Sequence, residues 1–167
     1  FVRENFEEIY PTYISYPYMI QRCDSFRYMV LYHYGGIYLD LDVGCNESLD
    51  DLIDNETVLA PHSETRTLTN SFLMATKHSE FMRFCVDHLH EYSLKYKYLG
   101  KHVYIITTTG PLFVNSMYKK FTNKDNIIVL PKEVYYGNCT LCYNYEKYGP
   151  CIGGDKFFHL VGESWHS

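Results

Sequence analysis

The sequence predicts an α/β domain with a largely parallel sheet, because two kinds of hydrophobic pattern alternate along the chain. Short runs rich in β-branched and aromatic residues, such as residues 37–43 and 57–61, are typical of strands. Between them lie segments whose apolar residues recur every three or four positions, as in amphipathic helices. Alternating strands and helices build a sheet covered by helices. With 167 residues, the chain is long enough for one core, so we expect a single domain over residues 1–167.

The individual elements follow from these patterns and from the residues that interrupt them. The first 22 residues predict a short helix and then a loop rich in Tyr and Pro. Residues 24–34 predict a helix that Gly35 and Gly36 end. Downstream, helices are predicted at 79–98 and 109–121, and strands at 57–61, 70–76, 103–108, 126–130 and 156–160.

Composition excludes two classes of protein. The net charge of −5 gives no basic surface for nucleic acid. No apolar run reaches the roughly 18 residues that a membrane-spanning helix needs. Because the first residue is Phe1 rather than Met, we expect the sequence to be a fragment of a longer chain. We also expect membrane association, through segments outside these residues.

An Asp-x-Asp pair gives the first indication of chemistry. Asp40 and Asp42 lie in the predicted strand 37–43, where alternate residues point to the same face. Two carboxylates about 7 Å apart along a strand can share a hard divalent cation such as Mg²⁺ or Mn²⁺, which keeps coordination places for substrate phosphates. Alone, the pair is a weak motif, since solvent-exposed strand ends often carry acidic residues.

Two charged residues in the preceding helix strengthen this prediction. Asp24 and Arg27 are three positions apart on one helical face. A helix of about 11 residues is about 16 Å long, close to the length of the following strand, which runs back antiparallel to it. We therefore expect Asp24 and Arg27 beside Asp40 and Asp42, at the sheet edge where α/β proteins bind ligands. The alternative is a simple i,i+3 ion pair.

Several stretches resemble the glycosyltransferases that contain the DXD sugar-binding motif, in particular the mannosyltransferases acting on inositol phosphorylceramide. The similarity is most specific over YPTYISYPYMIQRCDSFRYMVLYHYGGIYLDLDVGC, residues 10–45. It continues in TNSFLMATKHSEF (69–81), TTTGPLFV (107–114) and FHLVGESWHS (158–167). The resemblance implies a GT-A-like nucleotide-sugar-binding fold and a Mn²⁺ or Mg²⁺ ion that bridges the donor's diphosphate. It also implies that an N-terminal βα unit, which helps bind the nucleotide base in this family, is missing here.

The resemblance assigns roles to residues of both halves of the chain. In the first half, Asp42 is the direct metal ligand, and Asp40 contacts the donor and, through water, the metal. Asp24 and Arg27 match residues that bind the donor sugar, and Asn70 matches a polar residue of the sugar pocket.

In the second half, the closing segment HLVGESWHS matches a part of the family that folds over the diphosphate. It contributes His159, Ser164 and Trp165 to the expected site. Whether His159 or His166 is the third metal ligand stays open. The lone tryptophan, Trp165, is expected to lie in a loop that closes on bound donor.

The implied reaction is transfer of a hexose to a lipid or glycan acceptor with retention of configuration. GDP-mannose is the favoured donor, so the transferred hexose is mannose; UDP-galactose and UDP-N-acetylglucosamine follow as donors. No glutamate is obviously placed for double displacement, which favours a front-face substitution. For a eukaryotic cell, the implied location is the lumenal face of a Golgi or other secretory-pathway membrane.

Two other functions are compatible with parts of the sequence. A phosphatase could use Asp40 as nucleophile and Asp42 as acid, although Gly44 stands where such enzymes usually have Thr or Val. An inactive sugar- or lipid-recognition module of the same fold is the other alternative. Three clustered cysteines could bind zinc or form one disulfide and leave a spare thiol; they are Cys139, Cys142 and Cys151. Three glycosylation sequons, at Asn46, Asn55 and Asn138, matter only in a lumenal protein.

Overall fold

The computed structural model describes residues 1–62, 67–135 and 151–160. In these ranges the helices are α1 (Val2–Asn5), α2 (Tyr10–Ser15), α3 (Met19–Tyr34), α4 (Glu80–Lys95), α5 (Lys101–Thr108), α6 (Pro111–Lys120) and α7 (Lys132–Tyr135), with a short 3₁₀ helix at Asp50–Leu52. The strands are β1 (Gly36–Leu39), β2 (Val43–Cys45), β3 (Thr57–His62), β4 (Thr67–Ala75), β5 (Ile127–Val129), β6 (Cys151–Gly153) and β7 (Phe157–Leu160). None of the helices described is both long and apolar enough to cross a bilayer.

The strands form two sheets, which confirms the α/β class and corrects the predicted strand directions. The larger sheet has the order β1-β4-β3-β5, and the smaller one has the order β2-β7-β6. Among the described strands, β3 and β5 form the one parallel pair, and all other pairs are antiparallel. The prediction of a largely parallel sheet is therefore wrong. Only four residues separate β3 from β4, and a connection that short can join antiparallel neighbours but not parallel ones.

Residues 103–108 were expected to form a strand, but they belong to helix α5. The β-branched residues of this run favour a strand locally, yet Tyr104, Ile105 and Thr108 face the interior at helical spacing. Two threonine hydroxyls donate to carbonyl groups four residues earlier, from Thr108 to Tyr104 at 2.7 Å and from Thr107 to Val103 at 2.6 Å. Tertiary packing thus overrides a weak local propensity. The N-terminal stretch predicted as a loop likewise contains α2.

Strand β4 separates two hydrophobic clusters because its side chains alternate between the two faces of the larger sheet. Leu73 and Ala75 pack with residues of α3, α4 and α6 in the larger cluster. Phe72 and Met74 face the opposite way, toward the smaller cluster that includes Phe157 of β7. The strand is almost completely buried on both faces. Because β1 pairs with this buried strand, the position of the end of β1 is also fixed.

A glycine pair determines how the chain passes from α3 into β1. Gly35 ends the helix with φ 73°, and Gly36 follows with φ 107°, which are values that favour glycine. A Cβ atom on Gly35 would lie 2.6 Å from the backbone nitrogen of Lys77. The close approach lets β1 turn directly onto β4 and keeps the end of β1 near the middle of α3.

The variant Gly35→Ala should lower the free energy of unfolding by about 2–4 kcal/mol, since a positive φ and a backbone clash combine. Urea unfolding measures this change. Gly100→Ala is the matched control, because a Cβ atom there meets no atom within 4 Å. This substitution should lower the free energy of unfolding by less than about 1 kcal/mol. Equal losses in the two variants would contradict the role given to Gly35.

Candidate functional site

The guanidinium group of Arg27 is the centre of a buried polar network at the end of β1. Its Nη2 atom lies 2.7 Å from Oδ1 of Asp24, and its Nη1 atom lies 3.0 Å from Oδ1 of Asp40. The Nη1 atom also donates to the backbone carbonyl of Asn70. Because the Arg27 side chain is only 4% exposed, these charge-assisted hydrogen bonds form away from bulk water, where they are stronger than at the surface.

Asp24 is held on every side by donors. Besides Arg27, it accepts hydrogen bonds from the Asn70 amide at 3.0 Å and from the Thr109 hydroxyl at 3.1 Å. Burial raises the pKa of Asp24 from 3.8 to about 6, although Arg27 and the hydrogen bonds from Thr109 and Asn70 act in the opposite direction. The carboxylate is therefore ionised at neutral pH, at a cost in desolvation that its partners do not fully offset.

The DXD residues lie in a turn and not along a strand, contrary to the sequence prediction. Strand β1 ends at Leu39, and the Val43 amide donates to the Asp40 carbonyl at 3.0 Å, which closes a four-residue turn. The Asp40 amide in turn donates to the carbonyl of Ser71 at 2.8 Å. The chain changes sheets here, because β2 pairs with β7 and β1 pairs with β4. Aspartate suits such turns, and Leu41 at the tip is fully exposed.

Tyr38 is a site residue that sequence reasoning missed. Its hydroxyl donates to Oδ1 of Asp40 at 2.7 Å, and its ring stacks on Arg27, with 4.3 Å from the guanidinium carbon to the ring centroid. Burial raises the pKa of Tyr38, so its hydroxyl stays protonated as a donor. One signal was available, since Tyr38 precedes Asp40 by two positions and strand alternation places such residues on one face.

The structure brings together four of the five residues that the sequence predicts for the site in the first half of the chain. Asp24, Arg27, Asp40 and Asn70 form one hydrogen-bonded network. Asp42 is only two residues further along the chain, but it lies in the turn and not on the same strand face as Asp40. Helix α3 begins at Met19 and not at Asp24, so Asp24 lies in its second turn and not in its first turn, as predicted.

The closing segment is described only in part. Strand β7 runs antiparallel to β2, and its register sets His159 opposite Val43, so the His159 backbone lies beside the DXD turn. Ser164, Trp165 and His166 lie outside the described residues, and so do Cys139 and Cys142. The predicted loop over the diphosphate therefore stays a prediction.

The carboxylates of the turn suit a divalent cation that also binds substrate oxygens. Arg27 and Tyr38 bond Oδ1 of Asp40, whereas its Oδ2 atom and the carboxylate of Asp42 have no hydrogen bond or ion pair with any described residue. Within the described ranges, no group of three or more His, Cys, Asp or Glu side chains converges as a metal site. Two carboxylates with free oxygens nevertheless fit Mg²⁺ or Mn²⁺, which usually take only one or two carboxylates and complete their shells with water and phosphate.

Comparison with known proteins shows that this region is similar to a family of glycosyltransferases. Residues 1–59 match the glycosyltransferase sugar-binding region containing the DXD motif, and the match includes Asp24, Arg27, Asp40 and Asp42. For residues 1–59, the match confirms the resemblance to the DXD-containing glycosyltransferases that is seen in the sequence.

Curated relatives extend the similarity along nearly the whole chain. It is 34% identical over 169 residues to inositol phosphoceramide mannosyltransferase 1 of Schizosaccharomyces pombe, covering 99% of this chain and 48% of that protein. It is 29% identical over 171 residues to mannosyl phosphorylinositol ceramide synthase SUR1 of Saccharomyces cerevisiae, covering 99% of this chain and 40% of that protein. The chain thus spans about half the length of the curated relatives it matches.

A solved structure supports the fold independently. The PaToxG glycosyltransferase aligns with a TM-score of 0.50 at 19% identity, over 69% of this chain and 40% of that one. This similarity concerns the fold alone, and with the mixed sheet it is consistent with the GT-A-like fold expected from the sequence.

Replacing Arg27 with Lys should lower the free energy of unfolding by about 2–4 kcal/mol, because one ammonium group cannot bridge Asp24, Asp40 and the Asn70 carbonyl together. Denaturant unfolding measures the loss. Arg83→Lys is the control, since Arg83 is 39% exposed in its ion pairs with Glu8 and Asp87 and should lose less than about 1 kcal/mol. If Arg27→Lys is no more costly than Arg83→Lys, the network does not stabilise the site.

Proposed function

We propose that this chain is the catalytic region of a metal-dependent glycosyltransferase that transfers a hexose from a nucleotide sugar, with retention, to a lipid acceptor. GDP-mannose is the proposed donor, and a phosphoinositol-containing sphingolipid is the proposed acceptor, because the relatives are named inositol phosphoceramide mannosyltransferases. The observation that carries the proposal is the buried network of Asp24, Arg27 and Asp40 directly before a DXD turn, some of whose carboxylate oxygens have no partner among the described residues.

The two turn aspartates are the groups proposed to meet the metal and the donor. Asp42 and the Oδ2 atom of Asp40, which no described residue bonds, would hold a Mn²⁺ or Mg²⁺ ion, and the backbone position of His159 makes it a candidate third ligand. When bound, the cation neutralises the negative charge that develops on the diphosphate leaving group. The protein's contribution is to keep the carboxylates fixed before the donor arrives, so that little reorganisation is needed.

Arg27 and Asp24 are proposed chiefly to orient Asp40. Their side chains are 4% and 5% exposed, which limits their direct contact with a ligand in this arrangement. The Nε atom of Arg27 is buried and has no partner among the described residues, so one donor of the guanidinium group is left unsatisfied in this arrangement. Asn70, which bonds Asp24, completes the proposed wall of the sugar pocket, and Ser164 and Trp165 are proposed to cover the diphosphate.

Retention is proposed to proceed by front-face substitution. Asp24, the acidic side chain nearest to Arg27, accepts hydrogen bonds from three residues, which lowers its nucleophilicity. The acceptor hydroxyl would then enter on the side of the departing diphosphate, whose oxygens can take its proton. We also propose that the parent protein works on the lumenal face of a secretory-pathway membrane.

Asp42→Asn should abolish the Mn²⁺-induced rise in Tm and reduce turnover at least about a hundredfold, since one carboxylate charge at the metal is lost. Transfer of radiolabelled mannose and thermal melting with and without Mn²⁺ measure the two effects in full-length protein. Without metal, the Tm should change little because Asp42 has no partner among the described residues.

Asp54→Asn is the matched control for this substitution. Asp54 is exposed and forms no hydrogen bond or ion pair with a described residue, so the variant should keep both turnover and the metal-induced shift. An unchanged metal shift in Asp42→Asn would remove Asp42 from the metal site.

The activity should depend on the ionisation of Asp24. Its pKa in the folded protein, about 6, lies above the ordinary 3.8, so its contribution to stability is complete below pH 3.8 and is lost as pH rises through 6. Because Asp24 becomes protonated below pH 6, acidification from pH 7 to 5 should lower kcat/KM about tenfold per pH unit below pH 6. This protonation should not itself unfold the protein. A pH profile of kcat/KM together with Tm measures both. A flat profile between pH 7 and 5 would show that the charge of Asp24 is not needed.

A further inference from the structure

The connection between α4 and α5 exposes apolar side chains next to lysines. We define the α4–α5 corner as residues 94–103, with the sequence LKYKYLGKHV. Four of its large apolar residues are well exposed: Leu94 at 58%, Tyr98 at 95%, Leu99 at 45% and Val103 at 43%. Exposed apolar side chains are costly in water, so several of them within ten residues indicate an interaction surface more than isolated ones do.

The charge of the corner differs from that of the chain as a whole. The protein carries a net charge of −5, yet no Asp or Glu occurs between Glu91 and Asp125. Lys95, Lys97 and Lys101 lie within the corner, and none of them forms an ion pair with a described residue. The corner is therefore a locally cationic surface on an acidic protein.

The segment between α2 and α3 extends this surface. The ammonium group of Lys101 lies 5.7 Å from the ring centroid of Tyr18, and the next residue, Met19, is 68% exposed. The Lys95 ammonium similarly lies 5.3 Å from the Tyr96 ring. Two of the corner's lysines thus each lie close to a tyrosine ring.

We propose that the α4–α5 corner docks on the surface of a membrane that contains anionic lipids. Tyrosine prefers the boundary between polar headgroups and acyl chains, since its ring is apolar and its hydroxyl polar. Leucine and methionine side chains can enter the apolar layer. Lysines near the surface are attracted by anionic headgroups, and their long stems let the charge stay in water. The charge complementarity favours an anionic bilayer over a purely apolar protein partner.

Helix α5 connects the corner directly to the site. It begins at Lys101 in the corner and ends at Thr108, so its eight residues span about 12 Å. The hydroxyl group of the next residue, Thr109, donates a hydrogen bond to the Asp24 carboxylate. The corner and the polar network are therefore separated by about 12 Å, the length of this helix. The orientation of the site toward a lipid acceptor rests on the proposed function, whereas membrane docking itself does not.

Vesicle sedimentation of the 167-residue chain, without donor or metal, tests the docking. We expect binding to vesicles of phosphatidylcholine and phosphatidylserine, weakening with salt, and little binding to phosphatidylcholine alone. The double variant Lys97→Gln/Lys101→Gln should weaken binding at least about tenfold. Tyr98→Ala should weaken it severalfold, since it removes a fully exposed amphipathic ring.

Charge-matched and apolar controls make the test specific to the corner. Arg3→Gln/Lys77→Gln removes two exposed positive charges elsewhere, and Ile53→Ala removes an exposed apolar side chain of 54% exposure. Both controls should bind like the parent chain. Absent binding, equal binding to neutral vesicles, or equal effects of corner and control variants would each overturn the proposal. Asp42→Asn should bind vesicles normally, so failure of docking and failure of glycosyl transfer remain distinguishable.

Discussion

The geometry of the candidate site depends on one buried guanidinium group. Arg27 reaches from α3 to Asp24 on its own helix, to Asp40 at the end of β1 and to the carbonyl of Asn70 in β4. A planar group with several donors can satisfy all three acceptors at once, which a lysine cannot. The helix, the edge strand and the central strand are thereby held in one arrangement, and the turn that carries Asp42 starts from a fixed point.

This arrangement is costly for the fold, which is typical of a functional site. Asp24 is buried and ionised at neutral pH with a raised pKa, so its charge opposes folding by the linkage between proton binding and stability. A neutral side chain of similar shape would avoid the desolvation. Perturbed carboxylates of this kind concentrate where charge is needed for binding or catalysis, and here the carboxylate holds the arginine that holds Asp40.

Much of this site could be predicted from the sequence, but its local geometry could not. The i,i+3 spacing of Asp24 and Arg27 and the glycines that end the helix were enough to place these side chains near Asp40. The turn at Asp40–Val43 was missed because the alternating pattern of a strand continues through the DXD residues in the sequence. In the structure, β2 belongs to the second sheet, where it pairs with β7. That choice is made by pairing with β7, more than 100 residues later. Strand directions and the helical state of residues 103–108 were missed for the same reason, since both are decided by tertiary contacts.

The most direct test of this account is a double-mutant cycle on Arg27 and Asp40, read out as the affinity of full-length protein for GDP in the presence of Mn²⁺. The variants Arg27→Lys, Asp40→Asn and the combination are compared with the parent by calorimetry. If Arg27 acts by orienting Asp40, the single losses should be non-additive, with a coupling energy of about 1–3 kcal/mol. Strictly additive losses would show that the two residues act independently, and they would contradict the central role given to the Arg27 bridge.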